Sequence, residues 1–219
     1  MSDLVKMGLI LTVVGGVATG FMAATEEFTR DRIAEAKRRQ LQEALGKVLP
    51  EGFDNQPAQD VVKLTDARLN RSGKPVNFYV ARKGGVPLGS AFTVTAPDGY
   101  SGNIDVLVGV SQDGVISRIE IVAHAETPGL GDKMVKTDWP KSFEGKSLGN
   151  PVKWGVKKDG GTFDQFAGAT ITPRAVVAAV HRGLEVFAER RGEILAPSTT
   201  SGGEATAVSG GPGQGGEKP

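Results

Sequence analysis

The sequence predicts an α+β protein in which a single N-terminal transmembrane helix and a helical stalk carry a mixed α/β domain, followed by a disordered C-terminal tail. Three observations support this fold class. An uncharged apolar run lies near the N-terminus, short segments in the middle of the chain alternate apolar and polar residues between turn signals, and an amphipathic helical pattern follows them. Strands in hairpins with flanking helices indicate α+β architecture and not a doubly wound sheet.

The apolar run extends from Met7 to Thr25 and contains no ionisable residue. At about 1.5 Å per residue it forms roughly 28 Å of helix, close to the thickness of the hydrocarbon core of a bilayer. We therefore predict that residues 1–25 are a membrane anchor. A secretory signal peptide is the alternative, because a short basic flank precedes the run and small residues end it; a buried soluble helix is a weaker one. Gly16 and Gly20 would allow another helix to approach closely.

Two further segments flank the predicted domain, which spans residues 53–195. Apolar residues at helical spacing between Glu26 and Leu49 predict a stalk helix that continues the membrane helix and packs on the domain, so that the stalk comprises residues 26–52. Residues 196–219 contain seven glycines, three prolines and no Leu, Ile or aromatic residue. Such a segment buries too little apolar surface to offset its ordering entropy, which predicts disorder.

The domain itself is predicted to contain two β-hairpins, a further strand and a helix. The first hairpin comprises residues 76–82 and 86–95 around Gly84-Gly85, and the second comprises residues 104–110 and 115–123 around Gln112-Asp113-Gly114. The further strand is predicted at residues 152–157 and the helix at residues 173–191. Short turns that contain glycine are typical of hairpins. Thr172 is the expected N-cap of the helix and Pro173 its first residue.

The composition excludes several classes of function. Lys and Arg number 26 against 25 Asp and Glu, whereas nucleic-acid-binding proteins usually carry a clear basic excess. The absence of cysteine excludes disulfides, iron–sulfur clusters, thiol catalysis and cysteine-ligated zinc. Because the only histidines are His124 and His181, we predict no metal site, and we predict no nucleic-acid partner. The sequence also lacks a phosphate loop, a nucleophile elbow and a complete dinucleotide fingerprint, and no catalytic residue is predicted.

Two segments contain residues that a simple scaffold does not require. In the segment from His124 to Gly131, Pro128 and two glycines fix the backbone path, which leaves amides and the Thr127 hydroxyl available to a ligand. An ordinary loop with a helix cap explains this spacing more simply.

The second segment, residues 164–173, ends at a predicted helix N-terminus, which can hold a phosphate group. Gly168 and Ala169 keep side chains away from whatever approaches Thr170. A capped helix explains the residues that follow them, but it does not explain these small residues.

These segments resemble motifs of the FMN-binding domain family. Asp164-Gln165-Phe166-Ala167-Gly168-Ala169-Thr170 is similar to D-x-x-[ST]-G-A-T, in which the final threonine carries FMN through a phosphoester, and residues 124–131 are similar to H-x-E-T-P-G-L-G. Tyr100-Ser101-Gly102 and the single membrane helix also fit this family. Ala167 departs from the usual Ser or Thr. By size and layout the chain resembles the G subunit of the Rnf ion-translocating electron-transport complex; the C subunit of the sodium-pumping NADH:quinone reductase shares the domain and is the second possibility.

The resemblance implies FMN bound covalently to Thr170, attached by a separate flavin transferase that uses FAD as donor. Leu130 would pack on the flavin ring, and an ionised Glu126 beside the ring would lower its reduction potential. The other implied cofactor contacts are Gly168, Ala169, Thr172, Thr127, Gly129, Tyr100 and Gly102.

The resemblance also implies a redox subunit, not a complete enzyme, within a complex that couples ferredoxin and NAD oxidoreduction to ion movement. Such a subunit crosses the cytoplasmic (inner) membrane once, contacts lipid and other subunits, and carries its flavin domain on the periplasmic, outer face. A cofactor-free membrane-anchored assembly or sensor module is an alternative, which only Ala167 favours. A secreted flavoprotein would require removal of the first segment.

Overall fold

A computed structural model describes residues 3–151 and 153–197, and its domain is a sheet packed between two long helices. The helices are α1 (Asp3–Val48), α2 (Lys133–Lys136) and α3 (Ile171–Ile194), and two 3₁₀ helices cover Trp139–Phe143 and Lys157–Asp159. The strands are β1 (Val61–Leu64), β2 (Val76–Lys83), β3 (Val86–Ala96), β4 (Ile104–Ser111) and β5 (Ile116–Ala123).

Helix α1 continues without a break over 46 residues, so the predicted membrane helix and stalk form one rod about 69 Å long. Within the described residues, α1 is the one helix long and apolar enough to cross a bilayer. Its apolar side chains, such as Ile10 and Phe21, are exposed on the protein, which suits side chains that face lipid. Thr12 and Thr19 donate hydrogen bonds to carbonyls four residues back, so their hydroxyls need no partner outside the helix.

The last turns of α1 pack on one face of the sheet. Leu45, Val48 and Leu49 form an apolar cluster there with Ala81, Ala91 and Leu107. The approach is close because β4 has a glycine at the contact: a Cβ on Gly109 would overlap the Val48 carbonyl. The Ser117 hydroxyl donates to the same carbonyl at 2.5 Å. The stalk is therefore fixed to the domain and is not a loose tether.

The five strands form an antiparallel meander in the order β1-β2-β3-β4-β5. Both predicted hairpins are confirmed, with β2 paired to β3 and β4 paired to β5. The short edge strand β1 was not predicted. The second face of the sheet packs against α3, and the fully buried side chains between them include Phe78, Phe92, Val94, Val106, Ile119, Val176, Val180 and Phe187.

Two predictions of local structure are wrong. Residues 153–157 do not form a strand: Val156 makes one isolated bridge to Phe163, and Trp154 packs against aromatic rings; Val152 lies outside the described residues. The apolar character of Trp154 reflects its packing in an aromatic cluster and not a place on a pleated strand. Helix α3 begins two residues earlier than predicted, with Thr170 and not Thr172 at the N-cap position.

The predicted disordered tail falls almost entirely outside the described residues, from residue 198 onward. Its first residue is bound to the domain, because the Ala196 carbonyl accepts a hydrogen bond of 2.6 Å from the buried Arg82 guanidinium.

The two ends of the sheet carry different structures. One end carries both hairpin turns and the C-terminus of α1, where Val48 meets Gly109. Towards its membrane end α1 follows β4 and β5, so that Leu41 and Lys37 line a groove with Val122 near the end of β5. Helix α1 thus leaves the sheet past its second end, which carries the β3–β4 loop, the segment after β5 and the N-terminus of α3.

Candidate functional site

Three segments distant in sequence meet at this second end of the sheet around a cleft of about 140 Å³. They are the β3–β4 loop, the segment after β5 and the start of α3. The lining residues are Tyr100, Glu126, Thr127, Leu130, Gly131, Gly168, Ala169, Thr170, Ile171 and Thr172.

The Glu126 carboxylate joins the three segments. It is 5 % exposed, and its two oxygens accept hydrogen bonds from the Ser101 amide at 3.0 Å and from the Thr172 hydroxyl at 2.5 Å. A Cβ on Gly99 or on Gly131 would collide with this carboxylate. A buried charge requires such donors, because desolvation without hydrogen bonds costs several kcal/mol, on the order of the stability of a domain. The walls of the cleft therefore depend on one ionisable side chain.

A second carboxylate shapes the segment between Thr127 and Gly131. Asp132 accepts a hydrogen bond of 2.6 Å from the Gly129 amide and pairs with Lys136 at 2.5 Å. The hydrogen bond from Lys136 holds the pKa of Asp132 below its ordinary value, and the Gly129 amide adds to this effect. Gly129 lies at φ +79°, a conformation that glycine adopts without strain.

The loop from Asp164 to Thr170, which we call the 164–170 loop, turns sharply just before α3. The Ala169 amide donates to the Phe166 carbonyl at 3.0 Å, and Gly168 lies at φ +77°. This is the pattern of a β-turn that requires glycine at its third position. Ala167 is exposed in this turn, so the methyl group that replaces the family's usual hydroxyl faces solvent.

Thr170 is half-buried at the N-cap position of α3, and its side chain makes no capping hydrogen bond. The first helical hydrogen bond runs from the Arg174 amide to the Thr170 carbonyl, so the Ile171 and Thr172 amides precede the internal bonding of the helix. Amides in this position, together with the partial positive charge of a helix N-terminus, favour an anion. Pro173 has no backbone N–H to donate, which costs the helix nothing because the N–H groups of its first turn have no partner within the helix.

The rim of the cleft is apolar and exposed. Tyr100 is 67 % exposed, Leu130 41 % and Ile171 44 %. Large apolar side chains grouped around a concave site are typical of a surface that a ligand covers.

Eight of the ten residues that the sequence singled out line the cleft, and two do not. Gly129 and Gly102 instead allow positive φ in the two loops, at +79° and +125°. Gly131 and Ile171 also line the cleft, although sequence reasoning gave neither of them a role as a cofactor contact. The sequence did contain a signal for them, because each directly follows a predicted cofactor contact, Leu130 or Thr170, and adjacent residues at the end of a loop can line the same cleft.

Comparison with known proteins agrees with this architecture. The family model of the FMN-binding domain matches residues 99–185, and the model of the RnfG N-terminal region matches residues 2–48. A crystal structure of Shewanella oneidensis NqrC is similar over 69 % of this chain and 73 % of its own, at a TM-score of 0.45 and 21 % identity.

Several curated proteins are similar over nearly the whole chain, and each is named as the G subunit of an ion-translocating oxidoreductase complex. The protein from Pseudomonas aeruginosa is 46 % identical over 92 % of this chain and 97 % of its own length. The protein from Vibrio cholerae is 40 % identical over 86 % of this chain and 92 % of its own length. The protein from Cereibacter sphaeroides is 44 % identical over 87 % of this chain and 87 % of its own length. The chain therefore belongs to the family of G subunits of ion-translocating (Rnf-type) oxidoreductase complexes, with an FMN-binding domain at residues 99–185.

Proposed function

We propose that the protein is a membrane-anchored electron-transfer subunit that carries FMN as a phosphoester on the Thr170 hydroxyl. The observation that carries this proposal is the position of Thr170. Thr170 lines the cleft at the N-terminus of α3, next to amides suited to a phosphate, and its side chain makes no capping hydrogen bond. The sequence match to D-x-x-[ST]-G-A-T supports the same residue.

Attachment is a transfer reaction in which FAD supplies the FMN group. The Thr170 oxygen forms a bond to the flavin-side phosphorus, the bond between the two phosphates breaks, AMP leaves, and the hydroxyl proton passes to a base of the transferase. The protein itself contributes the hydroxyl and its presentation. Thr170 is therefore a site of attachment and takes no part in later redox turnover.

The residues of the cleft fit one end of FMN better than the whole molecule. About 140 Å³ is less than the roughly 300 Å³ of a small-molecule pocket, so the cleft would enclose the phosphate and part of the cofactor. The remainder would lie against the exposed side chains of Tyr100, Leu130 and Ile171. When bound, the flavin supplies the redox chemistry; the chain holds it, orients it and limits the access of water.

Glu126 has two roles in this proposal. Its hydrogen bonds hold the loops that form the cleft, and its negative charge, close to the cofactor, disfavours added electron density on the ring. A covalent tether suits this open site, because it replaces a binding equilibrium by a permanent local concentration of cofactor.

We further propose that the subunit relays electrons in a complex that links ferredoxin and NAD oxidoreduction to ion translocation. The similarity to G subunits supports assembly with other membrane subunits. Helix α1, the one membrane-length apolar helix among the described residues, supports a single-pass protein of the cytoplasmic membrane. We place the flavin domain on the periplasmic face, as the family resemblance implies. The comparisons favour this assignment over a C subunit of a sodium-pumping NADH:quinone reductase. Ala167 alone favours a cofactor-free module, and it lies exposed outside the lining of the cleft.

Co-expression with a flavin transferase tests the attachment. We expect flavin fluorescence to remain with the denatured chain on a gel, to persist in Thr170→Ser and to be lost in Thr170→Val. Thr162→Val is the matched control, because Thr162 is a threonine of the same region that lies outside the cleft. Fluorescence that is lost on denaturation, or that survives in Thr170→Val, would overturn the proposal.

A further inference from the structure

We propose that Trp139 is a positioning residue that presents the 164–170 loop for modification; this inference rests on the proposed attachment to Thr170. The indole N–H of Trp139 donates to the Asp164 carbonyl at 2.8 Å. Its ring also packs edge-on against Phe166, with centroids 5.5 Å apart. One side chain thus holds the first and third residues of the loop.

Trp139 can do this because it is itself fixed. It is 7 % exposed, and it lies in a 3₁₀ helix whose other end, Phe143, packs against it with centroids 5.1 Å apart. Phe143 in turn stacks on Phe163, the residue directly before the loop. The loop therefore rests on a buried aromatic platform in addition to the turn hydrogen bond between Phe166 and Ala169.

The consequence is a fixed outward face of the loop. With the Asp164 carbonyl directed inward to Trp139, the Asp164 carboxylate is 68 % exposed and pairs with Lys157 at 2.7 Å. Phe166 is held inward and is half-buried, whereas Ala167 and Gly168 are exposed. An enzyme that acts on Thr170 must recognise residues on this outward face. Trp139 keeps them in one arrangement without contacting the cofactor itself.

Trp154 provides a matched control, since it belongs to the same aromatic cluster and also donates its indole N–H to a backbone carbonyl. Its acceptor is Ser147 at 3.2 Å, and its ring contacts Phe163 and His181. No contact described for Trp154 reaches residues 164–170. Trp139→Phe and Trp154→Phe therefore each remove one indole hydrogen bond from the same cluster, and only the first affects the loop.

The test measures initial rates of flavin transfer to the full-length apoprotein in detergent, with FAD and a flavin transferase. The loss of one hydrogen bond predicts a fall in kcat/KM of about 2- to 10-fold for Trp139→Phe. We expect Trp154→Phe to stay within about twofold of the unsubstituted protein. Phe166→Leu removes the ring contact but keeps the indole bond, and it provides a second variant should Trp139→Phe not fold.

Amide hydrogen exchange of the apoprotein gives a readout independent of the cofactor. We expect the Ala169 amide, which closes the turn, to exchange faster in Trp139→Phe and at an unchanged rate in Trp154→Phe. Equal transfer rates in all three proteins, or equal losses in both tryptophan variants, would overturn the inference. If the unsubstituted protein accepts no flavin, the proposed attachment fails, whereas unchanged exchange at Ala169 rejects the positioning role by itself.

Discussion

Glu126 is the residue on which the three segments of the site meet. Its carboxylate is buried, and it accepts hydrogen bonds from Ser101 and Thr172 on two other segments. A glutamine can accept from the Ser101 amide through its carbonyl oxygen and donate to the Thr172 oxygen through its amide group. An alanine leaves both partners unsatisfied.

We predict that Glu126→Ala lowers the free energy of unfolding by about 2–3 kcal/mol, whereas Glu126→Gln lowers it by less than about 1 kcal/mol. Chemical denaturation followed by tryptophan fluorescence measures both values. Equal losses in the two variants would show that the charge, and not the hydrogen-bond geometry, holds the segments together.

The Glu126→Gln variant also separates the structural role of Glu126 from the effect of its charge on the bound flavin. Because Glu126→Gln keeps the hydrogen bonds and removes the charge, we predict a higher midpoint potential for the flavin in this variant. Potentiometric titration of the flavinylated protein measures it. An unchanged potential would eliminate electrostatic tuning by Glu126 and leave only its structural role.

Acid sensitivity of the site is expected to depend on Asp132. Its pKa is lowered by Lys136, so it stabilises the folded state above its unfolded pKa of about 3.9 and loses this effect as the pH falls through the lower, folded value. We predict that Asp132→Asn is less stable than the unsubstituted protein at pH 7 and that this difference shrinks below about pH 4. Unfolding curves between neutral pH and about pH 2 test this; a constant difference would contradict it.

At the scale of elements, the contact between α1 and β4 depends on a single glycine. A Cβ on Gly109 would overlap a backbone carbonyl of α1, which cannot rotate away. We predict that Gly109→Ala costs about 1–3 kcal/mol of stability, because the stalk must shift.

Gly46→Ala is the control for this prediction. Gly46 is exposed within the same helix and has open space at its Cβ position, so alanine there is expected to add up to about 1 kcal/mol through helix propensity. Denaturation of the full chain in detergent compares the two variants. A Gly109→Ala protein as stable as the unsubstituted one would contradict the close contact.

The elements that the sequence predicts correctly are those whose signals are local. Both hairpins have glycine turns, and apolar spacing identifies α1 and α3. The start of α3 was misplaced because Thr172, which resembles a cap in the sequence, bonds to Glu126, 46 residues away. The false strand at 152–157 has the same origin, since Trp154 packs into an aromatic cluster assembled from distant segments.

The lining of the cleft could be predicted largely through the two motifs, but its supports could not. Trp139 lies outside both motifs, and only the folded chain brings its indole to the Asp164 carbonyl. Gly99 likewise acts through Glu126, which it meets only in the folded chain. Sequence patterns show which residues face the cleft, whereas the residues that hold them are determined by tertiary packing.

At the scale of the whole molecule, the course of α1 predicts that the site lies on the bilayer side of the domain. The helix leaves the sheet past the end that carries the cleft, with Lys37 near Val122. From Thr25 to Lys37 the helix rises about 18 Å, of which the lipid headgroups occupy about 5–8 Å. With α1 spanning the bilayer as proposed, we predict that the cleft end of the domain faces the membrane surface across a narrow gap and that the hairpin end faces away.

Single cysteines report this orientation cleanly, because the chain contains no other cysteine. A donor dye is attached either to Asn103→Cys, at the cleft end, or to Gln112→Cys, at the hairpin end. The efficiency of energy transfer from each site to acceptor-labelled lipid headgroups is then measured in bilayers. Because β4 separates the two sites by about 26 Å, we predict markedly more efficient energy transfer from residue 103. Equal transfer, or more from residue 112, would contradict the orientation.

The central claim is that FMN is attached at Thr170, and peptide mapping by mass spectrometry tests it most directly. Trypsin releases residues 159–174 as one peptide, which contains Thr162, Thr170 and Thr172. For protein isolated from membranes that contain a flavin transferase, we predict this peptide to be heavier by one FMN less one water, with fragment ions that assign the added mass to Thr170. An unmodified peptide, or the added mass on another residue, would contradict the account.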